Sequence, residues 1–176
     1  MRNFKRKCMN VTLKNNGFWD FKDAICFVKS ANFGIFFGAD NNYKNTFVLG
    51  IGGNMGDTRA RFERFLRVLR HDRRFFVSQS SIILKNKPFG FLKQNDFLNA
   101  VLIVQTSLFP QAVLKLLNHF EKIFGRKRSF KNAPRTLDLD ILYFDKKVRK
   151  SARLILPHSG VNDRVSVILP FGSLRS

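Results

Sequence analysis

Hydrophobic and polar positions alternate in a readable way from Thr46 onward. Thr46 to Ile51 is a largely apolar run that ends in Gly52-Gly53-Asn54-Met55-Gly56, the pattern of a strand closing in a glycine turn. Asp57 or Thr58 suits the cap of a following helix, on which Phe62, Phe65, Leu66 and Leu69 recur at i, i+3, i+4 and i+7. A strand is predicted over about Phe75 to Leu84, then a polar loop from Lys85 to Asn95 containing Pro88 and Gly90, then a strand over Phe97 to Thr106. Pro110 fits the first turn of a second helix, with Val113, Leu116, Leu117, Phe120 and Phe124 on one face and Gly125 at its end. A basic loop, Arg126 to Arg135, leads into a strand over Thr136 to Phe144 and a turn at Asp145-Lys146-Lys147. Short elements at Arg153 to Leu156 and about Asp163 to Leu169 finish the chain.

The order β-α-β-β-α-β is the ferredoxin-like arrangement, so the expected fold class is α+β: an antiparallel sheet with helices packed on it. Residues 1–45 break the pattern. They are rich in Asn and Gly without a clear period, and are expected to be a basic extension of unknown role beside a domain at 46–176. The longest apolar candidate, Ala24 to Ala39, is interrupted by Lys29, Ser30, Asn32 and two glycines, short of the ~18 residues a membrane span needs. Arg2, Lys5, Arg6 and Lys7 are not followed by the apolar stretch of a signal peptide, which makes a cytoplasmic, membrane-free chain the expectation.

Composition narrows the class. A hydrophobic share of 44% with 21 Phe among 176 residues excludes a disordered polyelectrolyte and supports a sizeable core. Cys8 and Cys26 lack metal spacing and read as buried or idle thiols of a reducing compartment rather than a disulfide framework. The formal charge of +20 predicts attraction to polyanions, whether nucleic acid, anionic lipid or nucleotide phosphates.

The chemistry concentrates in Pro134-Arg135-Thr136-Leu137-Asp138-Leu139-Asp140-Ile141-Leu142. In a strand, Leu137, Leu139 and Ile141 point to one side, and Asp138 and Asp140 project together from the other. Two like charges so placed repel unless a counter-ion relieves them. Mg²⁺, which takes one or two carboxylates plus phosphate and water oxygens, is one solution. The other is an Asp paired with a neighbouring Arg while its partner is solvated on an edge strand. Upstream lie Arg126, Lys127, Arg128, Lys131 and Arg135, and an acidic pair beside a basic loop fits either a salt-bridge network or a metal-polyphosphate site. Asn99, inside an apolar strand, must satisfy its amide either on a ligand or on a neighbouring loop.

The run Asn132 to Asp140 resembles the signature of the 6-hydroxymethyl-7,8-dihydropterin pyrophosphokinase family of folate biosynthesis. Further matches follow in order: Gly52 to Asp57, Pro88-x-Gly90, Asp96-Phe97-Leu98-Asn99-Ala100-Val101, Gly125-Arg126-x-Arg128, Leu156-Pro157-His158, and then Arg164 and Pro170. The resemblance covers about residues 46 to 172. It implies transfer of pyrophosphate from ATP, a co-substrate, to the pterin's hydroxymethyl oxygen with release of AMP. It further implies two Mg²⁺ ions held by Asp138 and Asp140, with Arg126, Arg128 and Arg135 as loop arginines that close over ATP. By the same resemblance His158 and Arg164 contact phosphate, and Asn118 and Glu121 flank the adenosine. Gly52, Asn86, Lys87, Phe89, Phe97 and Asn99 line the pterin pocket. A monomer acting on small molecules, without a specific nucleic-acid or membrane partner, is expected.

Three positions depart from the family pattern: Asn86 stands where Thr is usual, Ser166 where a second aromatic is usual, and Gly53 where Ser is usual. Two alternatives use the same features differently. A basic nucleic-acid-binding module draws on the charge and the loop around Phe130 but gives the Asp pair no role. A pyrophosphokinase-like protein without pterin turnover draws on Asn86 and Ser166.

Overall fold

A computed structural model describes residues 8–10, 21–127 and 132–175. In chain order the elements are β1 (Cys8–Asn10), β2 (Ala24–Val28), β3 (Asn45–Gly53), α1 (Thr58–His71), β4 (Phe75–Ser80), β5 (Ile83–Asn86), β6 (Phe97–Thr106), α2 (Pro110–Ile123), β7 (Asp138–Phe144), β8 (Arg149–Lys150), β9 (Ile155–Leu156) and α3 (Val165–Gly172). The main sheet runs β1-β2-β5-β6-β3-β7, with β4 also pairing to β6, and all of its pairings are antiparallel. From β3 to β7 the order is the expected β-α-β-β-α-β, with one strand divided.

That division is a correction to the single strand predicted over Phe75 to Leu84. The break falls at Ser81, which is fully buried. Its Oγ accepts from Val101 N at 2.8 Å, and its own N–H donates to Val101 O at 2.8 Å. The side chain thus replaces part of the ladder and lets β4 pair with the end of β6 while β5 pairs with its start. β5 runs to Asn86, so the loop expected from Lys85 begins later, and β7 starts at Asp138 rather than Thr136. The last element is a helix, α3, and Arg153 to Leu156 shortens to the two-residue β9.

Described residues upstream of Thr46, in β1 and β2, are built into this sheet. β2 pairs with β5, covering what would be an open edge, and Phe33 enters the core with its ring centroid 6.1 Å from that of Phe62. Cys26, expected as a buried or idle thiol, is buried as expected but is disulfide-bonded rather than free.

Both helices begin as their sequences direct. Asp57 accepts from Ala60 N at 3.0 Å and satisfies an otherwise free first-turn donor of α1. Pro110 opens α2 where its missing N–H is not needed. Phe62, Phe65, Leu66 and Leu69 of α1 and Val113, Leu117 and Phe120 of α2 pack with Phe47, Leu49, Ile51, Leu102, Leu139 and Ile141. These helices cover one face of the sheet. α3 lies on the other, where Val101, Leu142 and Val161 form a much smaller cluster. Among the described residues no helix is long and apolar enough to cross a membrane.

Candidate active site

β7 carries the site by simple alternation. Leu139 and Ile141 enter the core, so Asp138 and Asp140 face the side away from α1 and α2. Opposite them on β3 stand two glycines: Gly52 is in register with Asp138, and Gly50 with Asp140. Side chains at those positions would fill the cavity, since a Cβ on Gly52 would lie 2.8 Å from Asn99 Oδ1. The cavity left open is lined by Gly52, Asn99, Asp138, Asp140, His158, Arg164 and Ser166.

Asp138 is flanked by two guanidiniums, with Arg126 Nη1 2.7 Å from Oδ1 and Arg135 Nη1 2.6 Å from Oδ2. Arg126 also binds Glu121, a buried carboxylate of α2 that accepts from Leu139 N at 2.8 Å. Burial pushes the Glu121 carboxyl above its usual range, while the Leu139 N–H and Arg126 pull it back. Asp140 is pushed up as well, first by burial and then by the charge of Asp138, against the opposing pull of His158, Arg126 and Arg164. The sequence left two fates for this acidic pair. Asp138 does pair with arginines, on a strand at the sheet edge, but Asp140 is half-buried in the cavity wall rather than freely solvated.

The donor chemistry suits a hard divalent cation. Both side chains offer oxygen, they sit in adjacent outward positions, and a cation between them would relieve the repulsion that lifts Asp140. Among the described residues no group of three or more His, Cys, Asp or Glu is placed to hold a metal. Two carboxylates therefore leave coordination positions that phosphate oxygens and water would complete.

The other phosphate-side candidates converge from separate elements. His158 donates its backbone N–H to Leu142 O at 2.9 Å, which docks it to β7. Its Nδ1 lies 3.1 Å from Gly160 N and accepts from it, leaving Nε2 as the N–H. Arg164 packs across Gly160, where a Cβ would come within 2.6 Å of its Nε, and its guanidinium lies 5.7 Å from the Phe89 ring. Glu121 reaches the site through Arg126, and Asn118 sits half-buried one turn earlier on α2. Arg128, with Phe130 and Lys131, lies outside the described residues.

The pterin-side candidates cluster at the β5 and β6 ends. Asn86 is buried and accepts from Asn99 Nδ2 at 2.7 Å. Phe97 is half-buried with the Arg135 guanidinium 5.9 Å over its ring, whereas Phe89 is 74% exposed. Lys87 is exposed and reaches Asp96, 3.6 Å away.

Two residues given no role from the sequence tie the loops together. Asn54 is buried in the glycine turn; its Oδ1 accepts from Arg135 N at 2.9 Å, and its Nδ2 donates to Gln94 Oε1 at 2.9 Å and to Asn95 O at 3.0 Å. Gln94 Nε2 in turn donates to Phe91 O at 2.6 Å and Asn132 O at 3.1 Å. A buried amide in a turn must find partners, and that was the available signal.

The model of the 7,8-dihydro-6-hydroxymethylpterin-pyrophosphokinase family matches residues 48–176. A protein of Campylobacter jejuni named 2-amino-4-hydroxy-6-hydroxymethyldihydropteridine pyrophosphokinase is 45% identical over 148 residues, 84% of this chain and 94% of its own length. That span is longer than the family match and so takes in residues upstream of Val48. Proteins with the same name from Helicobacter pylori and Bacillus subtilis are 37% and 32% identical, covering 73% and 74% of this chain and 80% and 78% of their own lengths.

Proposed function

The chain belongs to the 7,8-dihydro-6-hydroxymethylpterin-pyrophosphokinase family, and from that premise we propose which of its residues perform the family's reaction. It acts as the pyrophosphokinase of folate biosynthesis, an ATP-dependent kinase reaction on a small-molecule substrate. The hydroxymethyl oxygen of the dihydropterin attacks the β-phosphorus of ATP. The bond from that phosphorus to the α,β-bridging oxygen breaks, AMP leaves with that oxygen, and the hydroxyl proton is released. No protein nucleophile is needed, so the protein's part is alignment and charge compensation.

The observation that carries the assignment is the pair Asp138 and Asp140 on one face of β7, enclosed by Arg126, Arg135, His158 and Arg164. Asp138 and Asp140 would hold two Mg²⁺ ions, which when bound neutralise the triphosphate oxygens. Arg126 and Arg135 exchange Asp138 for phosphate oxygens as ATP enters, with Arg128 joining them. His158 and Arg164 take phosphate from the other side, the His158 Nε2–H supplying a donor. Glu121 holds Arg126 in position, and Asn118 flanks the adenosine on the same helix. Gly52, Asn86, Lys87, Phe89, Phe97 and Asn99 form the pterin side, with Phe97 as the stacking face and Asn99 as the polar reader. A cytoplasmic monomer whose site residues all lie within 46–176, with β2 extending the same sheet, completes the reading.

Isothermal titration of ATP and then 6-hydroxymethyl-7,8-dihydropterin, with and without Mg²⁺, tests it. The expected result is Mg²⁺-dependent nucleotide binding followed by pterin binding to the nucleotide complex. Pterin binding that ignores both nucleotide and Mg²⁺ would contradict the assignment.

A further inference from the structure

We propose that Asn86 is a positioning residue that fixes which end of the Asn99 amide meets the substrate, making this side of the site an acceptor that takes a hydrogen-bond-donating heterocycle edge. The proposal rests on the reading that Asn99 contacts the pterin, and adds what sets its polarity.

One group in this set has a single possible role. The backbone carbonyl of Lys87 can only accept, and Asn86 Nδ2 donates to it at 2.8 Å. This orients the Asn86 amide, because turning it over would set its Oδ1 against the Lys87 oxygen. Asn86 Oδ1 therefore faces Asn99 and accepts from Asn99 Nδ2 at 2.7 Å. With its Nδ2 turned to Asn86, Asn99 carries its Oδ1 over Gly52, and both residues line the cavity with Asp138 and Asp140. Carbonyl, amide and amide thus form a relay with one direction.

The start of the relay is itself held from both sides. Asn86 is paired with Phe97 on β6 and with Ala24 on β2, and Lys87 N donates to Asp23 O at 2.8 Å. The upstream segment thereby anchors the carbonyl that sets the polarity. Asn86 is also buried, so reversing either amide would leave polar atoms facing like atoms without water to compensate. A threonine at this position would not impose the same direction. A hydroxyl donates or accepts by rotation, whereas an amide already committed to a carbonyl presents oxygen alone.

A double-mutant cycle on the full chain reads the relay. The probe is 6-hydroxymethyl-7,8-dihydropterin binding in the presence of Mg²⁺ and a non-hydrolysable ATP analogue, with affinity for the analogue measured separately. Asn86→Leu is expected to weaken pterin binding about tenfold, equivalent to about 1.4 kcal/mol, with affinity for the ATP analogue unchanged. Asn99→Ala should weaken pterin binding at least as much, and the double variant no more than Asn99→Ala alone. Full additivity, or pterin affinity unchanged in Asn86→Leu while Asn99→Ala loses it, would overturn the relay and leave the pterin contact standing. An unchanged pterin affinity in Asn99→Ala would remove the contact and the relay with it. If Leu at position 86 prevents folding, Asn86→Ser, whose hydroxyl is too short to span to Asn99, carries the same cycle and the same outcomes.

Discussion

The two faces of the central sheet are made by the same strands and solve opposite problems. On one, Leu139 and Ile141 of β7 meet Leu49 and Ile51 of β3 beneath α1 and α2, in a cluster that reaches Phe65 and Phe120. On the other, the residues between them are Asp138, Asp140, Gly50 and Gly52, and only part of the surface is covered, by Val167 of α3 and Leu174 just after it. The first face is given over almost wholly to packing. The second gives up packing for two carboxylates and a cavity, and burial together with mutual repulsion lifts Asp140 as a result. A period-two pattern allows this separation, because a single strand can be core on one side and chemistry on the other. Substitutions one residue apart on β7 should therefore affect different measurements.

The largest effect is expected from Asp138→Ala and Asp140→Ala, each of which should lower kcat by roughly a thousandfold or more. Circular dichroism and the unfolding temperature should show a retained fold. Wild-type turnover in either would detach chemistry from that face. Next, Phe65→Ala on the packing face removes a fully buried ring that makes edge contacts with Phe120 and Phe124 at 5.9 and 5.8 Å. It should cost about 3–5 kcal/mol in denaturant unfolding, with KM for both substrates little changed in the protein that remains folded. Arg126→Ala, at the boundary between the faces, is expected to lower kcat by roughly a hundredfold. It also leaves the buried Glu121 carboxylate without its cation, so unfolding should shift too, and kinetics without a stability change would contradict its double role.

The smallest effect lies away from both faces. The Arg74 hydrogen bond holds Asp72 below the usual carboxylate range, partly offset by burial. A lowered folded-state pKa contributes stability above the unfolded value of about 3.9 and loses it as pH falls through the lower folded value. Asp72→Asn should therefore cost a few tenths of a kcal/mol at neutral pH, as expected for a solvent-screened pair. Its loss of stability on acidification should be shallower than that of the wild type, a comparison made by unfolding titrations between pH 2 and 6.

The packing face was the more legible of the two. Phe62, Phe65, Leu66 and Leu69 announce their helix by spacing, and all four are buried. Asp138 and Asp140 were legible as a pair because alternation needs only local order. What escaped depends on partners distant in sequence. Ser81 divides the segment Phe75 to Leu84 because its hydroxyl takes a bond from Val101 N, a partner twenty residues away. β2 carries no clear period, since it is placed by pairing to β5 rather than by an apolar face of its own. Asn54 and Gln94 look like ordinary loop residues until Arg135 and Asn132, far along the chain, come within hydrogen-bond reach. The partnership of Asn86 with Asn99 is hidden for the same reason, crossing from one strand to the next.

A crystal structure with Mg²⁺, a non-hydrolysable ATP analogue and the dihydropterin would decide whether the acidic face does what its geometry supports. Asp138 should part from Arg126 and Arg135, both carboxylates should bind metal, and the two guanidiniums should move onto phosphate oxygens. If Asp138 still holds both arginines while the nucleotide sits elsewhere and no metal touches either aspartate, the assignment of this face is wrong.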